Sequence, residues 1–64
     1  MPFVQIKMWA GRNDEKKAEI IARVTDAVAE SLPCPREHIT VLIQEYPKAN
    51  WGMDGTQSSE LFPD

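Results

Sequence analysis

Apolar and polar residues alternate near the start of the chain. Val4, Ile6 and Met8 are separated by polar residues, so they fall on one side of an extended segment. This alternation predicts a strand over residues 3–9, because successive side chains of a strand point to opposite faces. The pattern breaks at residues 10–13, where the strand is expected to end.

A helical period follows. Asn13 is a favourable N-cap residue, and two acidic residues come next, where the helix dipole favours negative charge. Apolar residues then recur on one side of a helix that is predicted to extend to Leu32. Pro33 and Pro35 end it. The apolar stripe consists of Ile20, Ile21, Val24, Ala27, Val28 and Leu32.

A second strand is predicted from His38 to Tyr46. Its centre is apolar and mostly β-branched, which is typical of burial on both faces. A strand, a helix and a strand form a βαβ unit, whose strands run parallel with a right-handed crossover. The sequence therefore predicts an α/β fold and a single domain over residues 1–64.

The remaining segment has a different composition. Asn, Asp and Gly residues between positions 47 and 56 predict a turn or a small C-terminal hairpin. Trp51 lies among them, and such a large aromatic residue is expected to pack against a surface, such as a neighbouring subunit. Residues 58–64 are expected to be frayed or docked on a partner chain.

The small size of the chain predicts self-association. Its 64 residues bury little apolar surface, and the single cysteine, Cys34, rules out an intramolecular disulfide. One cysteine and one histidine do not make a structural zinc site. Two strands and one helix leave a sheet face and two edges uncovered. We therefore expect dimers with a four-stranded sheet, and a homohexamer built from those dimers.

Charge and hydropathy exclude two classes of partner. The net charge is −3 and the cations are scattered, which argues against nucleic acid. No apolar run is long enough to span a membrane, and no signal-peptide core follows Met1. The expected location is the cytoplasm.

Pro2 is the first candidate for chemistry. An initiator Met before a small residue is normally removed, which would leave Pro2 with a free secondary amine. The pKa of an α-amino group is about 8, and a nearby cation or burial lowers it. Such an amine, anchored at a strand end, can act as a general base near neutral pH. Taken alone, however, a Met-Pro start is common and more often carries no chemistry.

Two further features follow Pro2 along the chain. Gly11-Arg12 lies at the strand-to-helix turn, and Trp51-Gly52 follows the second strand. In this order and spacing, the three features resemble the 4-oxalocrotonate tautomerase family over essentially the whole chain. The resemblance implies a metal-free, cofactor-independent isomerase that interconverts the enol and keto forms of an unsaturated 2-oxo or 2-hydroxy acid.

The resemblance also implies roles for individual residues. Pro2 is the catalytic base, and Arg12 binds the carboxylate of a small-molecule substrate and draws charge toward its carbonyl end. A guanidinium suits both tasks, since it pairs with a carboxylate bidentately and would lower the pKa of the Pro2 amine. Trp51 supplies an apolar wall. The alternatives are a solvated turn residue for Arg12 and plain interface packing for Trp51.

The chain departs from the family at Thr40, where the best-known members carry a second substrate-binding arginine. The nearest candidates for that role are Arg36, in the loop before the strand, and His38, predicted to share a strand face with Thr40. The departure leaves open whether the substrate is a dicarboxylate or a monocarboxylate.

Two other functions stay open on the sequence. One is a hydratase or dehalogenase of unsaturated acids that uses the same site. The other is a non-catalytic oligomeric interaction protein, which retention of Met1 would favour because an acylated Pro2 nitrogen is not basic.

Overall fold

A parallel βαβ unit and a C-terminal hairpin form the fold. The computed structural model describes residues 1–63. Strands β1 and β2 pair in parallel, and β3 and β4 pair antiparallel, so the predicted α/β architecture is confirmed. The elements are β1 (Phe3–Trp9), α1 (Asp14–Ser31), β2 (Thr40–Tyr46), β3 (Gly52–Met53), β4 (Thr56–Gln57) and α2 (Ser58–Leu61).

The first strand follows its predicted alternation. Val4, Ile6 and Met8 are half-buried, whereas the residues between them are exposed. Met8 pairs in register with Glu45 of β2, and the Glu45 carboxylate accepts a hydrogen bond from Lys17 of α1. The half-buried side of β1 is therefore the side that faces the helix.

Helix α1 begins after its predicted N-cap, Asn13, and ends at Ser31, one residue before the predicted end at Leu32. The Asn13 side chain accepts a hydrogen bond from the backbone N–H of Lys16 at 2.8 Å. Glu19 and Arg23, one turn apart, form an ion pair at 3.1 Å. The helix stops before Leu32, whose N–H still donates to the Val28 carbonyl at 2.8 Å. No helix of residues 1–63 is long and apolar enough to cross a membrane.

The other face of the β1–β2 sheet, here called the open face, is left uncovered by the chain itself around Phe3 and Leu42. Phe3 is 57% exposed and Leu42 is 41% exposed, and they lie on this face by strand alternation. The expected burial of β2 on both faces is therefore not met within one chain. Of the apolar stripe of α1, Ile21 and Leu32 are also exposed. The described chain measures 14 Å in its thinnest direction, as one sheet and one helix require.

The predicted start of β2 is wrong by two residues. A single 3-10 turn over Arg36–His38 precedes the strand, which begins at Thr40. The His38 N–H donates to the Pro35 carbonyl at 3.0 Å, which closes the turn. His38 thus lies outside the strand and does not share a strand face with Thr40.

Of the two alternatives for the C-terminal segment, fraying is wrong for the described residues, and docking on a partner chain stays a prediction. Ser58 is fully buried, and its N–H donates to the Trp51 carbonyl at 2.7 Å. Phe62 N–H donates back to Ser58 and closes α2. Asp64, the last residue of that predicted segment, lies outside the described residues.

The hairpin has the turn that its sequence predicts. Asp54 and Gly55 both adopt positive φ, +54° and +80°. Two successive residues in this region characterise the tight turn that matches strand twist, and an Asp-Gly pair favours it. Gly52, which directly follows Trp51, begins the hairpin.

Candidate active site

Strand β1 carries candidate residues at both of its ends. Pro2 immediately precedes the strand, and Arg12 follows it by three residues. A strand of seven residues spans roughly 20 Å. Pro2 and Arg12 of one chain therefore lie too far apart to hold one small substrate between them.

Pro2 is anchored at the first end. Its carbonyl accepts a hydrogen bond from the Thr40 N–H at 3.1 Å, which extends the parallel ladder by one bond. The Pro2 side chain is half-buried, whereas Met1 is 94% exposed. The ring is thus fixed against the sheet while the residue before it extends into solvent.

The candidates for a second cation lie near the same end of the sheet, just before β2. Arg36 forms an ion pair with Asp26 of α1. A substrate carboxylate would have to displace that partner. His38 is exposed in the 3-10 turn, and Thr40 is exposed at the first position of β2.

Arg12 occupies the turn at the opposite end. Gly11 has a φ of +129°, a conformation that side chains other than glycine rarely adopt, and this allows the chain to leave β1 sharply. The Ala10 N–H donates to the Tyr46 carbonyl at 2.9 Å and holds the start of the turn. The Arg12 side chain is exposed and has no hydrogen bond or ion pair within residues 1–63. Its guanidinium is available to an anion.

Trp51 packs on its own chain at this end. Its ring centroid lies 6.2 Å from that of Trp9, and the two ring planes are nearly perpendicular, at 79°. This is the edge-to-face arrangement that aromatic pairs prefer. The expectation that Trp51 needs a packing surface is confirmed, but the surface is supplied by β1 of the same chain.

Sequence reasoning missed the residues that surround Trp9. The Phe62 ring lies 5.2 Å from the Trp9 ring, and the Lys48 Nζ lies 5.1 Å above it. Lys48 also donates to the Phe62 carbonyl at 2.7 Å. No local pattern connects residues so far apart in the chain. The only signal in the sequence is the exceptional size of Trp9 at a strand end.

A cavity of about 280 Å³ adjoins the Phe62 ring. It lies between the end of β1 and the C-terminal segment, and Ala10, two residues before Arg12, forms part of its wall. Lys48 and Phe62 line it as well. The second end of β1 therefore combines an available guanidinium, aromatic surface and a concave space.

The perturbed pKa values belong to two residues of helix α1. A hydrogen bond with Glu45 raises the pKa of Lys17, and a hydrogen bond from Lys16 lowers the pKa of Glu19. Both groups belong to ion pairs of helix α1. No group of three or more His, Cys, Asp or Glu residues within positions 1–63 could hold a metal ion.

The fold and the residues at the two ends of β1 define a class: a small βαβ protein with a proline before its first strand and, after it, an arginine that has no partner within residues 1–63. Comparison with known proteins specifies the class further. The family model described as "Tautomerase enzyme" matches residues 2–60. The chain belongs to this family, that of 4-oxalocrotonate tautomerase, and is an isomerase.

Individual relatives cover nearly the whole chain. The 2-hydroxymuconate tautomerase of Comamonas testosteroni is 43% identical over 95% of this chain and 97% of its own length. A 4-oxalocrotonate tautomerase isozyme of Methylibium petroleiphilum superposes with a TM-score of 0.91 at 39% identity, covering 95% of this chain and 98% of that one. A heterohexamer 4-oxalocrotonate tautomerase of Chloroflexus aurantiacus gives 0.90 at 33% identity, with the same coverages.

Proposed function

We propose that the chain catalyses enol–keto tautomerisation of an unsaturated 2-oxo or 2-hydroxy acid without a cofactor. Relatives named 2-hydroxymuconate tautomerase, at 43% identity, support this reaction. In the proposed step, the Pro2 nitrogen takes the proton of the enol hydroxyl, and the proton is returned to a carbon of the conjugated system. Substrate and product have the same atoms, so the step needs no further reactant.

The observation that carries the proposal is the position of Pro2 and Arg12 at opposite ends of β1. A second copy that pairs antiparallel along β1 brings the start of one strand beside the end of the other. Pro2 of one protomer then adjoins Arg12 and Trp51 of the partner subunit. The site is thus proposed to form between copies, in a four-stranded dimer and a hexamer of such dimers. The heterohexameric relative supports an assembly of this size.

In that arrangement, each residue has a physical role. Arg12 is unpaired within residues 1–63 and would bind the substrate carboxylate bidentately. Its charge would lower the pKa of the Pro2 amine and so keep the nitrogen unprotonated near neutral pH. Trp51 would exclude water, which strengthens both interactions. We assign no comparable role to Arg36, because Asp26 already pairs with it.

The proposal is tested at the Pro2 nitrogen. A chain of residues 2–64 is short enough to be synthesised with either a free or an acetylated Pro2. Acetylation removes the basic lone pair and leaves every side chain intact. We expect it to lower the rate on phenylenolpyruvate by at least about a hundredfold, the usual contribution of a general base.

The matched pair also separates the other functions. Circular dichroism and native mass spectrometry would confirm that both forms fold and assemble alike. An equal rate of the two forms on the enol would exclude Pro2 as the base. A free form that is inactive on enols but consumes 3-haloacrylates or acetylenic acids would indicate a dehalogenase or hydratase. A free form inactive on all of them would indicate an interaction protein.

A further inference from the structure

Aromatic residues concentrate at the end of β1 that carries Arg12. Trp9 and Tyr46 pair in register at the ends of β1 and β2. Trp51 and Phe62 both contact the Trp9 ring. Of the aromatic residues of the chain, only Phe3 lies at the other end.

We propose that Trp9 is a positioning residue that sets the ring of Trp51, and that the pair makes the site select acids bearing a planar aromatic group. The inference rests on the proposed function, in which Arg12 and Trp51 belong to one site. It adds the substrate class: aryl-substituted monocarboxylate enols in preference to linear dicarboxylates.

Trp9 is held firmly enough to position another ring. Phe62 and Lys48 pack against it in addition to Trp51, and β1 fixes its backbone. Its indole nitrogen, Nε1, is buried and has no hydrogen-bond partner among the described residues. A buried N–H without a partner is unfavourable, so the ring occupies this place because of its packing contacts. Trp51, in contrast, contacts Trp9 and remains half-exposed, which leaves part of its ring open to a ligand.

The chemistry of this end favours an aryl group over a second carboxylate. One guanidinium, that of Arg12, is unpaired and can bind one carboxylate. Lys48 is already engaged with the Trp9 ring and the Phe62 carbonyl. A second carboxylate against the rings would lose hydration and meet their negative faces, whereas an aryl group can stack on Trp51.

The test compares kcat/KM for phenylenolpyruvate with kcat/KM for 2-hydroxymuconate. We expect Trp9→Leu to lower this ratio about fivefold, within the range that aromatic pairs contribute. Trp51→Leu should lower it at least as far, and Trp9→Leu combined with Trp51→Leu should lower it no further than Trp51→Leu alone. Trp9→Phe, which keeps a ring, should restore most of the ratio. The control is Arg23→Ala, which truncates an exposed side chain of α1 that contacts none of these rings and should leave the ratio unchanged.

An unchanged ratio in Trp9→Leu would overturn the inference. An equal loss of kcat/KM on both substrates is one form of this result, since a merely structural residue affects both substrates alike. If Trp9→Leu does not fold, Trp9→Met, a flexible apolar replacement, decides by the same criterion.

Calorimetry of non-reacting acids separates this inference from the proposed reaction. Wild type should bind 3-phenylpropanoate more tightly than adipate, and Trp9→Leu should lose that preference. If wild type turns over neither enol but shows this binding pattern, the reaction is wrong and the selectivity stands. If it turns over both enols and binds both acids equally well, the selectivity is wrong and the reaction stands.

Discussion

At the scale of single residues, what distinguishes the arginines is their partners. Arg23 pairs with Glu19, and Arg36 pairs with Asp26. Arg12 has no partner within residues 1–63 and follows a glycine with positive φ that turns the chain out of β1. An unpaired guanidinium keeps its charge and its hydrogen-bond donors for a ligand. This contrast is the reason for proposing Arg12 as the arginine that binds the substrate.

Arg12→Ala is predicted to weaken transition-state stabilisation by about 2–4 kcal/mol on a carboxylate substrate, the scale of a charged pairing in a dry site. The measurement is kcat/KM on phenylenolpyruvate, with folding checked by circular dichroism. Arg23→Ala is the matched control, because it removes an exposed arginine of α1, and it should retain wild-type kinetics. A wild-type rate for Arg12→Ala would return Arg12 to the role of a solvated turn residue.

At the scale of elements, one ion pair connects α1 to β2. The Lys17 Nζ lies 2.7 Å from a Glu45 carboxylate oxygen, and both side chains are about three-quarters buried. The hydrogen bond to Glu45, aided by the charges of Glu45 and Asp14 and opposed by burial, raises the pKa of Lys17 above its ordinary 10.5. The pair joins the helix-facing side of the sheet to the first turns of α1.

Because the pKa of Lys17 is higher in the folded state, the contribution of this pair to stability is complete below about pH 10.5. It is lost as the pH rises through the folded-state pKa. We therefore predict that wild type has a higher Tm than Glu45→Gln at pH 8 and that the difference shrinks above about pH 10.5. Glu30→Gln, at an exposed position of α1, the helix that carries Lys17, should have the same Tm as wild type at every pH. A constant difference between wild type and Glu45→Gln up to pH 12 would contradict the assignment.

At the scale of the whole molecule, the described chain has no fully buried hydrophobic residue. Its one fully buried residue is a serine, Ser58. Apolar burial is the main favourable contribution to folding, and the free energy of unfolding of a native protein is small. A single copy without buried apolar residues is therefore not expected to be stable on its own. The exposed Phe3 and Leu42 of the open face are the surface that further copies would cover.

We predict that the protein is oligomeric at micromolar concentration, with a hexamer built from dimers as the main species in native mass spectrometry. Leu42→Lys places a charge on the open face and should shift the population toward smaller species. Ile21→Lys is the matched control, since Ile21 is 39% exposed, close to the 41% of Leu42, but lies on α1, on the other side of the sheet. A wild-type monomer that stays folded under these conditions would contradict the prediction, and so would wild-type assembly of Leu42→Lys.

The sequence by itself determined the elements whose causes are local. The alternation around Val4, Ile6 and Met8 is a property of neighbouring residues, so the bounds of β1 were predicted correctly. The start of α1 was also predicted from local sequence, since the Asn13 side chain accepts a hydrogen bond from an N–H only three residues further along the chain. The Asp54-Gly55 turn is local in the same sense. The chemical identities of Pro2 and Arg12 are equally visible in sequence.

Only the tertiary structure decided which of these residues have partners. In the sequence, Arg36 and Arg12 are the same type of residue outside the predicted strands and helix. They differ in having an ion-pair partner, because the turn before β2 brings Arg36 to Asp26 of α1. Trp51 and Trp9 meet because the C-terminal segment folds back on the sheet. No sequence pattern of period two or 3.6 reports such contacts, because they depend on where whole elements pack. The separation of Pro2 from Arg12 is different, since the length of β1 keeps the two groups apart and that length was predicted from the sequence.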